Sequence, residues 1–282
     1  MPHSDPGLTN GPATDPEGNE SITLVAIPHA GGWGTFFTPL ADHLPADVRL
    51  LEVDLSGHGR RRHEPLLGSI EAMARDLLRL LRPRLLRPYA LLGHSMGALV
   101  AYQLLGGILA QHLPLPRRLF VSSCPAPDRN RLSSAIALLP AEAFWQRVAH
   151  FDGLPPRLFD HPRLMALFEP IFRADFRAVA NYRPCVPAEL PPIPIQVLYG
   201  REDPIAPEAL AAWQAWTSLP VTLHPFPGGH FYLTEQLSQV ATLLAAPCLA
   251  GGQNRDVEGD ACGGQRATPM GKPSVDLREG GN

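Results

Sequence analysis

The sequence predicts an α/β protein whose doubly wound, mostly parallel sheet carries a helical lid between two late strands. Short apolar runs alternate with amphipathic helical patterns, which is typical of repeated strand–helix–strand units. The interval between Pro125 and Pro194 breaks this alternation, because it holds helical patterns and no convincing strand. A Gly-x-Ser-x-Gly turn joins one predicted strand directly to one predicted helix. These three observations predict a layered sheet with a lid over one edge.

The two ends of the chain differ from its centre. Residues 1–20 hold almost no apolar side chains, and residues 247–282 are rich in Gly and have no helical period. Such segments cannot bury enough apolar surface to fold by themselves. We therefore expect a disordered leader over 1–20, an α/β domain over 21–246 and a flexible tail over 247–282. The leader has no basic and apolar signal-peptide pattern, so we expect a cytoplasmic protein.

The predicted strands are apolar runs of four to six residues that end at turn-forming residues. They are Ile22–Ile27, 48–53, 89–92, Leu119–Ser122, 195–199 and 221–226. Between them, a first helix repeats apolar residues at helical spacing from Ile70 to Leu81, with Ser69 as its N-cap. The same spacing returns from Leu237 to Leu244. Strands and helices in this order predict parallel pairing with crossover helices.

The interval at about 126–190 is the predicted lid. One helical pattern there carries Phe144, Val148 and Phe151, and a second runs from Leu164 to Phe172. Pro170 lies inside the second pattern and should kink or split that helix. One crossover needs only one helix, so two helices indicate a lid above the carboxyl ends of the strands. Its aromatic residues either pack on the body or line a channel.

The strongest local signal is Gly93-His94-Ser95-Met96-Gly97, between a predicted strand and an apolar helical segment. This is a nucleophile elbow in the strand–turn–helix setting that it requires. Glycines at both ends permit a turn that projects the Ser95 hydroxyl into a cleft. The backbone N–H of Met96, at the helix N-terminus, would face developing negative charge.

A serine nucleophile needs a base and an acid that orients the base. Asp203 follows a late strand, and His230 follows the next strand within a Gly-rich turn. Ser95, Asp203 and His230 therefore have the chain order that this elbow requires. Glu202 is the competing acid, although we expect it to point to solvent. His94 is interpreted as a packing or hydrogen-bonding residue.

A second amide for the oxyanion should come from the loop after the first strand, which reads Pro28-His29-Ala30-Gly31-Gly32-Trp33. We predict the Ala30 N–H as that donor, with the Gly31 N–H as its near rival. A simple turn is the alternative. The segment has neither a P-loop lysine nor Gly-x-Gly-x-x-Gly spacing, so it is not a phosphate loop.

The composition limits the possible partners. The chain has 282 residues, of which 45% are hydrophobic and 18% charged, with a net charge of −3. This balance argues against a nucleic acid as partner, since phosphate binding needs a concentrated basic surface. No apolar run reaches the roughly 20 residues of a membrane span. The 4 cysteines are far apart and form no Cys-x-x-Cys pair, so we expect no metal site.

Several segments together resemble the type II thioesterases, α/β-hydrolase enzymes that accompany polyketide and nonribosomal peptide synthases. They are IPHAGGWGTFF, GHSMGALVAYQLL, LFEPIFRADFRAVANY, GREDP and FPGGHFYL. The elbow alone is common to most α/β hydrolases, whereas the HAGG, RADF and GGHFYL segments are much narrower. The resemblance runs from about Thr23 to Leu244.

The resemblance implies hydrolysis of aberrant or stalled acyl or aminoacyl thioesters on the phosphopantetheine arm of an acyl or peptidyl carrier protein, without a cofactor. Ser95 would form an acyl-enzyme, His230 would move the protons, and the Ala30 and Met96 amides would bind the oxyanion. Another serine esterase, peptidase or acyltransferase is one alternative, and a noncatalytic binding protein is another. We expect a monomer, since nothing in the sequence indicates a repeated interface.

The chain departs from the family at the loop after its second strand. Ser56 and His58 stand where the family usually has the Pro and the Arg of a Pro-Gly-Arg turn. Three arginines, Arg60, Arg61 and Arg62, follow at the same predicted edge of the sheet as Ser95. This cluster either docks an acidic carrier protein or is a solvated charged loop.

Overall fold

A computed structural model describes residues 21–149, 161–184, 186–187 and 189–249. The predicted leader, Phe151 and all of the predicted tail beyond residue 249 lie outside the described residues. Over the described part of the chain, the strands form one sheet with the order β2-β1-β3-β4-β5-β6, and every adjacent pair is parallel. The strands are β1 (Ile22–Ile27), β2 (Val48–Glu52), β3 (Tyr89–His94), β4 (Leu119–Ser122), β5 (Ile195–Gly200) and β6 (Thr222–Phe226).

The observed strands agree with the predicted apolar runs to within two residues at each end. The main difference is β3, which continues to His94 and so reaches the elbow itself. Its register with β1 pairs Gly93 with Ile27, and its register with β4 pairs His94 with Ser122. The carboxyl ends of these strands therefore meet at one edge, where the loops that follow them come together.

Helices cover both faces of the sheet. They are α1 (Thr38–Ala41), α2 (Ile70–Leu81), α3 (Met96–Ala110), α4 (Ala141–Ala149), α5 (Pro162–Asn181), α6 (Pro207–Ala211) and α7 (Leu237–Leu249). Alternate residues of β1 enter different cores: Val25 packs with α2 and α3, whereas Leu24 packs with α1 and α7. This alternation follows from the period of two along a strand, and it makes the sheet doubly wound.

Local signals set the ends of the first long helix. The Ser69 hydroxyl accepts a hydrogen bond from the Ala72 N–H at 3.2 Å, so Ser69 is the predicted N-cap. Its apolar face, including Met73 and Leu77, is buried against α3 and the sheet. At the other end of the chain, α7 continues to Leu249, three residues past the predicted boundary at 246.

The lid contributes helices α4 and α5 and, in its described residues, no strand. Helix α5 begins with Pro162, whose missing N–H costs nothing in a first turn. Pro170 does not split the helix, which runs unbroken from Pro162 to Asn181. Pro170 has no backbone N–H to donate, but the burial of Phe172 and Phe176 on the inner side of the helix stabilises it at this point. No helix of the described chain is both long and apolar enough to cross a membrane.

Candidate active site

The turn between β3 and α3 holds Ser95 in an unusual backbone conformation. Its φ of 53° and ψ of −119° lie outside the regions that most residues adopt. The surrounding packing maintains this strain, since a Cβ on Gly93 would collide with the backbone of Gly97 and Ala98. The Ser95 N–H also donates to the Ser122 carbonyl at 2.8 Å. The turn is therefore fixed by backbone contacts on both sides.

Ser95, His230 and Asp203 form one hydrogen-bonded row. His230 Nε2 lies 3.0 Å from Ser95 Oγ, and His230 Nδ1 lies 2.9 Å from Asp203 Oδ2. A carboxylate only accepts, so Nδ1 carries the proton and leaves Nε2 to accept from the serine hydroxyl. The Asp203 side chain is 2% exposed and that of His230 is 11% exposed. This geometry can remove a proton from Ser95 as its oxygen attacks an acyl carbon.

The two candidate acids, Glu202 and Asp203, lie on the loop after β5 and differ in burial and in direction. Asp203 is buried and points at His230, whereas Glu202 is exposed. The loop is tied to the one after β6, because the Glu202 N–H donates to the Gly228 carbonyl at 3.1 Å. A Cβ on Gly200 would also collide with the carbonyl oxygens of Gly228 and Gly229. The two loops that carry the acid and the base thus pack directly on each other.

Sequence reasoning missed two residues that support His230 and the elbow. Ser123, directly after β4, has a positive φ of 46°, and its Oγ donates to the His230 carbonyl at 2.9 Å. Its neighbour Ser122 lies 2.8 Å from both His94 Nδ1 and the Tyr232 hydroxyl, in a buried row beneath the elbow. The available signal was their position, since β4 ends at the same edge of the sheet as the other loops.

Two further histidines lie close to this row and are uncharged at neutral pH. Burial lowers the pKa of His29 to about 4, and burial, followed by the nearby His230 and His29, also lowers the pKa of His94. The ring of His29 meets Phe231 edge-on at 4.9 Å between centroids. His94 is a packing and hydrogen-bonding residue, as its place inside the elbow predicts.

The two candidate amide donors, the Ala30 and Gly31 N–H groups, lie on the loop of residues 28–33, called the oxyanion loop here, and they differ in their contacts. The Gly31 N–H donates to Asp175 Oδ2 of the lid at 2.7 Å, so this amide is not available to a substrate. Gly31 needs its φ of +72°, and a Cβ there would collide with the Phe172 ring. Ala30 and Met96, the predicted oxyanion pair, both line the cavity that contains Ser95.

The cavity has a volume of about 600 Å³, in the usual range for a small-molecule site. Ser95, Asp203 and His230 lie on its floor. Its apolar wall comes from both the body and the lid, and includes Leu99, Leu132, Val148, Phe172, Phe176 and Val179. Such a wall suits an acyl chain, and the polar floor suits the reacting group at its end.

The aromatic residues of the lid have different roles. Phe144 is fully buried in the lid's own cluster, where the Arg173 guanidinium lies 4.2 Å from its ring centroid. Phe172 belongs to that cluster and also lines the cavity. Phe168 stacks on Trp33 of the oxyanion loop at 5.5 Å between centroids. Both alternatives, packing and lining, therefore apply, but to different residues.

The three arginines after β2 do not act as one cluster. Arg61 is 7% exposed, and its Nη1 donates to Asp76 at 2.6 Å while its Nε donates to Glu64 at 2.9 Å. Arg60 Nε donates to Asp54 Oδ2 at 2.6 Å. Only Arg62 of the three is exposed. The three arginines therefore do not form one exposed surface, because the Asp76 and Glu64 carboxylates hold Arg61 inside the fold.

Among the described residues, no group of three or more His, Cys, Asp or Glu side chains is arranged to hold a metal ion. The described cysteine that is free, Cys124, is buried in the wall of the cavity.

Comparison with known proteins gives one consistent family. The profile of the thioesterase domain matches residues 22–248. Thioesterase PikA5 of Streptomyces venezuelae is 33% identical over 80% of this chain and 80% of its own length. The solved structure of the type II thioesterase BorB, from the borrelidin biosynthetic cluster, is 35% identical with a TM-score of 0.74, over 87% of this chain and 97% of BorB. The structure of YbtT, a type II thioesterase of a yersiniabactin pathway, is 30% identical with a TM-score of 0.71, over 84% of this chain and 96% of YbtT.

The sequence match, the parallel sheet and the elbow agree with one another. The chain therefore belongs to the thioesterase family, as a serine hydrolase of the α/β-hydrolase fold, and the type II thioesterases of polyketide and nonribosomal peptide biosynthesis are the members that it resembles.

Proposed function

We propose that this enzyme hydrolyses acyl or aminoacyl thioesters on the phosphopantetheine arm of a carrier protein, and so releases aberrant or stalled chains. The observation that carries the proposal is the row of Ser95, His230 and Asp203 on the floor of a largely apolar cavity. The proposal is also supported by two similar type II thioesterases, because BorB comes from the borrelidin biosynthetic cluster and YbtT from the yersiniabactin NRPS/PKS biosynthetic pathway. A cytoplasmic location and a monomeric state stay predictions from the sequence.

In the proposed first step, Ser95 Oγ attacks the thioester carbonyl while His230 Nε2 takes its proton. Asp203 accepts the Nδ1–H bond and stabilises the positive charge on the ring. The carbonyl oxygen becomes an oxyanion, which the Ala30 and Met96 amides would bind. The carbon–sulfur bond then breaks, the thiolate takes the proton from His230, and Ser95 keeps the acyl group.

In the second step, water replaces the thiol. His230 removes a proton from the water as its oxygen attacks the acyl-enzyme, and the same amides bind the second oxyanion. Collapse of this intermediate returns the proton from His230 to Ser95 and releases the carboxylic acid.

The decisive experiment compares leaving groups on one acyl chain. The enzyme is incubated with acyl-phosphopantetheinyl carrier protein, with the matching oxyester and with an aminoacyl peptide, and acid release is measured. We expect the thioester to be the preferred substrate, with Ser95→Ala as the inactive control. Preference for the oxyester or the peptide would refute the proposal and favour another hydrolase function on this fold.

A carrier-docking surface at the mouth of the cavity is the second part of the proposal. Arg129, Arg131 and Arg147 line the cavity from the lid side, and all three are exposed. Carrier proteins of these synthases are usually acidic, so cations beside the opening would attract them. This position is better suited than the loop of residues 60–62, in which Arg61 is buried.

Charge reversal tests this surface. Arg131→Glu should raise KM for the acyl-carrier protein by about fivefold, a typical effect for an exposed pair. Hydrolysis of a small acyl-pantetheine mimic should not change, and added salt should weaken the wild-type reaction with the carrier. Arg62→Glu is the matched control on an exposed loop. Equal losses on both substrates would place Arg131 in the fold instead of in the docking surface.

A further inference from the structure

The lid helix α5 contacts the oxyanion loop through residues on one of its faces. Phe168 stacks on Trp33, the Phe172 ring lies against Gly31, and Asp175 accepts a hydrogen bond from the Gly31 N–H. Positions 168, 172 and 175 have the i, i+4, i+7 spacing of a single helix face. The oxyanion loop is thus bounded by the lid as well as by the sheet.

Asp175 is unusual because it is a carboxylate with no exposed surface. Its Oδ2 accepts from the Gly31 N–H at 2.7 Å and lies 2.9 Å from His58 Nε2. Neither side chain of the Asp175–His58 pair is exposed at all. Its other oxygen, Oδ1, is buried without a hydrogen-bond partner among the described residues. Moving a carboxylate out of water costs free energy, so the contacts that Asp175 makes must offset that cost.

The contacts of His58 indicate that it is protonated. Its Nδ1 lies 3.1 Å from the Ser56 carbonyl, which only accepts, and its Nε2 faces the Asp175 carboxylate. Acceptors at both nitrogens suit an imidazolium. Burial lowers the pKa of His58, but the charge and hydrogen bond of Asp175, together with the Ser56 carbonyl and the charge of Asp54, outweigh it and raise the pKa. The pair is therefore a buried ion pair.

The peptide group that joins Ala30 to Gly31 is held at both ends. Its N–H donates to Asp175 Oδ2, and its carbonyl accepts from His29 Nδ1 at 2.9 Å. Because a peptide group is planar, two opposed hydrogen bonds set its orientation. The Ala30 N–H belongs to the preceding peptide group, whose His29 carbonyl accepts from the Gly32 N–H at 3.0 Å. The two peptide groups share the Ala30 Cα, so a rotation of the Gly31 peptide would also move the Ala30 amide.

We propose that Asp175, hydrogen-bonded to His58, is a positioning residue that aims the Ala30 amide at the oxyanion through the Gly31 peptide. The inference rests on the oxyanion role proposed above for Ala30. It adds that the lid supplies part of the machinery for charge stabilisation, since Asp175 comes from α5. Catalytic power would then depend on α5 being seated on the loop, and not only on the elbow and the triad.

The test compares two substitutions of Asp175. Asp175→Ala removes the acceptor of the Gly31 N–H and should lower kcat by about 10- to 100-fold, as small misplacements of catalytic groups do. KM for acyl-pantetheine should stay within about twofold, because the loop serves the transition state more than the substrate. Asp175→Asn keeps a side-chain oxygen and should recover most of kcat. Should the alanine variant fail to fold, Asp175→Leu, which also lacks an acceptor but fills more of the buried space, replaces it in the comparison with Asp175→Asn.

Glu169→Gln is the matched control, because Glu169 lies on the same helix and pairs with Arg173 at 2.8 Å without contacting the oxyanion loop. It should leave kcat unchanged. The variants are also titrated with a fluorophosphonate, whose reaction with Ser95 develops charge on the same oxygen position. The labelling rate should fall in parallel with kcat for Asp175→Ala.

Three results would overturn the inference. They are equal kcat losses for the alanine and asparagine variants, a loss confined to KM, and a loss that Glu169→Gln reproduces. Failure of the proposed function is distinguishable from these, because the wild-type enzyme would then react with fluorophosphonate but not release acid from acyl-pantetheine. In that case, the labelling rates alone would still decide whether Asp175 aims the loop.

Discussion

Two regions of the molecule meet at the cavity, and different kinds of contact hold them in place. At the sheet edge, backbone groups fix the elbow: the Ser95 N–H bonds the Ser122 carbonyl, and Gly97 packs against the carbonyl oxygens of Ile27 and Pro28. In the lid, contacts between side chains hold the helices in place. The aromatic cluster around Phe144 holds α4 and α5 together, and the Asp175 contact with the Gly31 amide holds α5 against the body.

The difference shows how the enzyme divides its tasks. A backbone turn cannot change without disturbing strands on both sides, so it suits the nucleophile, whose position must be constant. Side-chain contacts can be replaced one at a time, so the lid can change pocket shape while the elbow stays the same. Substitutions at the edge should therefore affect chemistry and global folding, and substitutions in the lid should affect selectivity and local stability.

The largest expected effect is at the triad. Asp203→Asn should leave the protein folded and lower kcat by about 10⁴-fold, because the asparagine favours the wrong His230 tautomer. Ser95→Ala should abolish the acyl-enzyme, as measured by mass spectrometry after incubation with an acyl thioester. Glu202→Gln is the control and should keep near-normal activity. If Glu202→Gln lost activity while Asp203→Asn kept it, the acid would be Glu202.

The next effect is on folding at the elbow. Gly97→Ala places a Cβ into the carbonyl oxygens of Ile27 and Pro28, so we expect a loss of about 3 kcal/mol or more in unfolding free energy. Gly106→Ala, on the same helix with open space at its Cβ position, should stabilise by about 0.5–1 kcal/mol. Urea denaturation measures both. Similar values for the two variants would contradict a sterically fixed elbow.

A smaller effect should come from the lid wall. Val148 is buried and lines the cavity, so Val148→Phe fills part of the space for an acyl chain. We expect kcat/KM for long acyl chains to fall about tenfold, while acetyl substrates change little. Phe144→Leu is the control, because Phe144 packs inside the lid cluster. A uniform loss over all chain lengths would show that Val148 acts on the fold and not on selectivity.

The smallest effect is a pH dependence of the contact between lid and loop. The raised pKa of His58 means that its stabilising charge is fully present below the ordinary histidine value of about 6.5 and is lost as pH rises through the raised value. The Tm advantage of wild type over His58→Gln should shrink by a few degrees from pH 6 to 9. Asp54 is the other charged group that acts on this pair, and the nearby His29 stays uncharged over this range, because burial lowers its pKa to about 4. A constant Tm difference over this range would show that His58 does not titrate there.

Most of the sheet edge was predictable because its signals are local. The strands follow apolar runs, and the elbow follows from glycines at fixed spacing around Ser95. The order of Ser95, Asp203 and His230 along the chain also placed each at a strand end, and the hydrogen-bonded row has the predicted members. Glu202 and Asp203 were distinguishable only by the side to which each points along one loop.

What the sequence by itself determined was therefore the alternation of strands and helices, the elbow and the existence of a lid, since each depends on neighbours a few residues apart. The tertiary structure alone decided that Arg61 is buried among Glu64 and Asp76, and that Gly31 gives its amide to Asp175, 144 residues away. Such contacts have no period or motif. They exist because folding brings distant loops together, and each buried polar group must then find a partner among whatever the packing supplies.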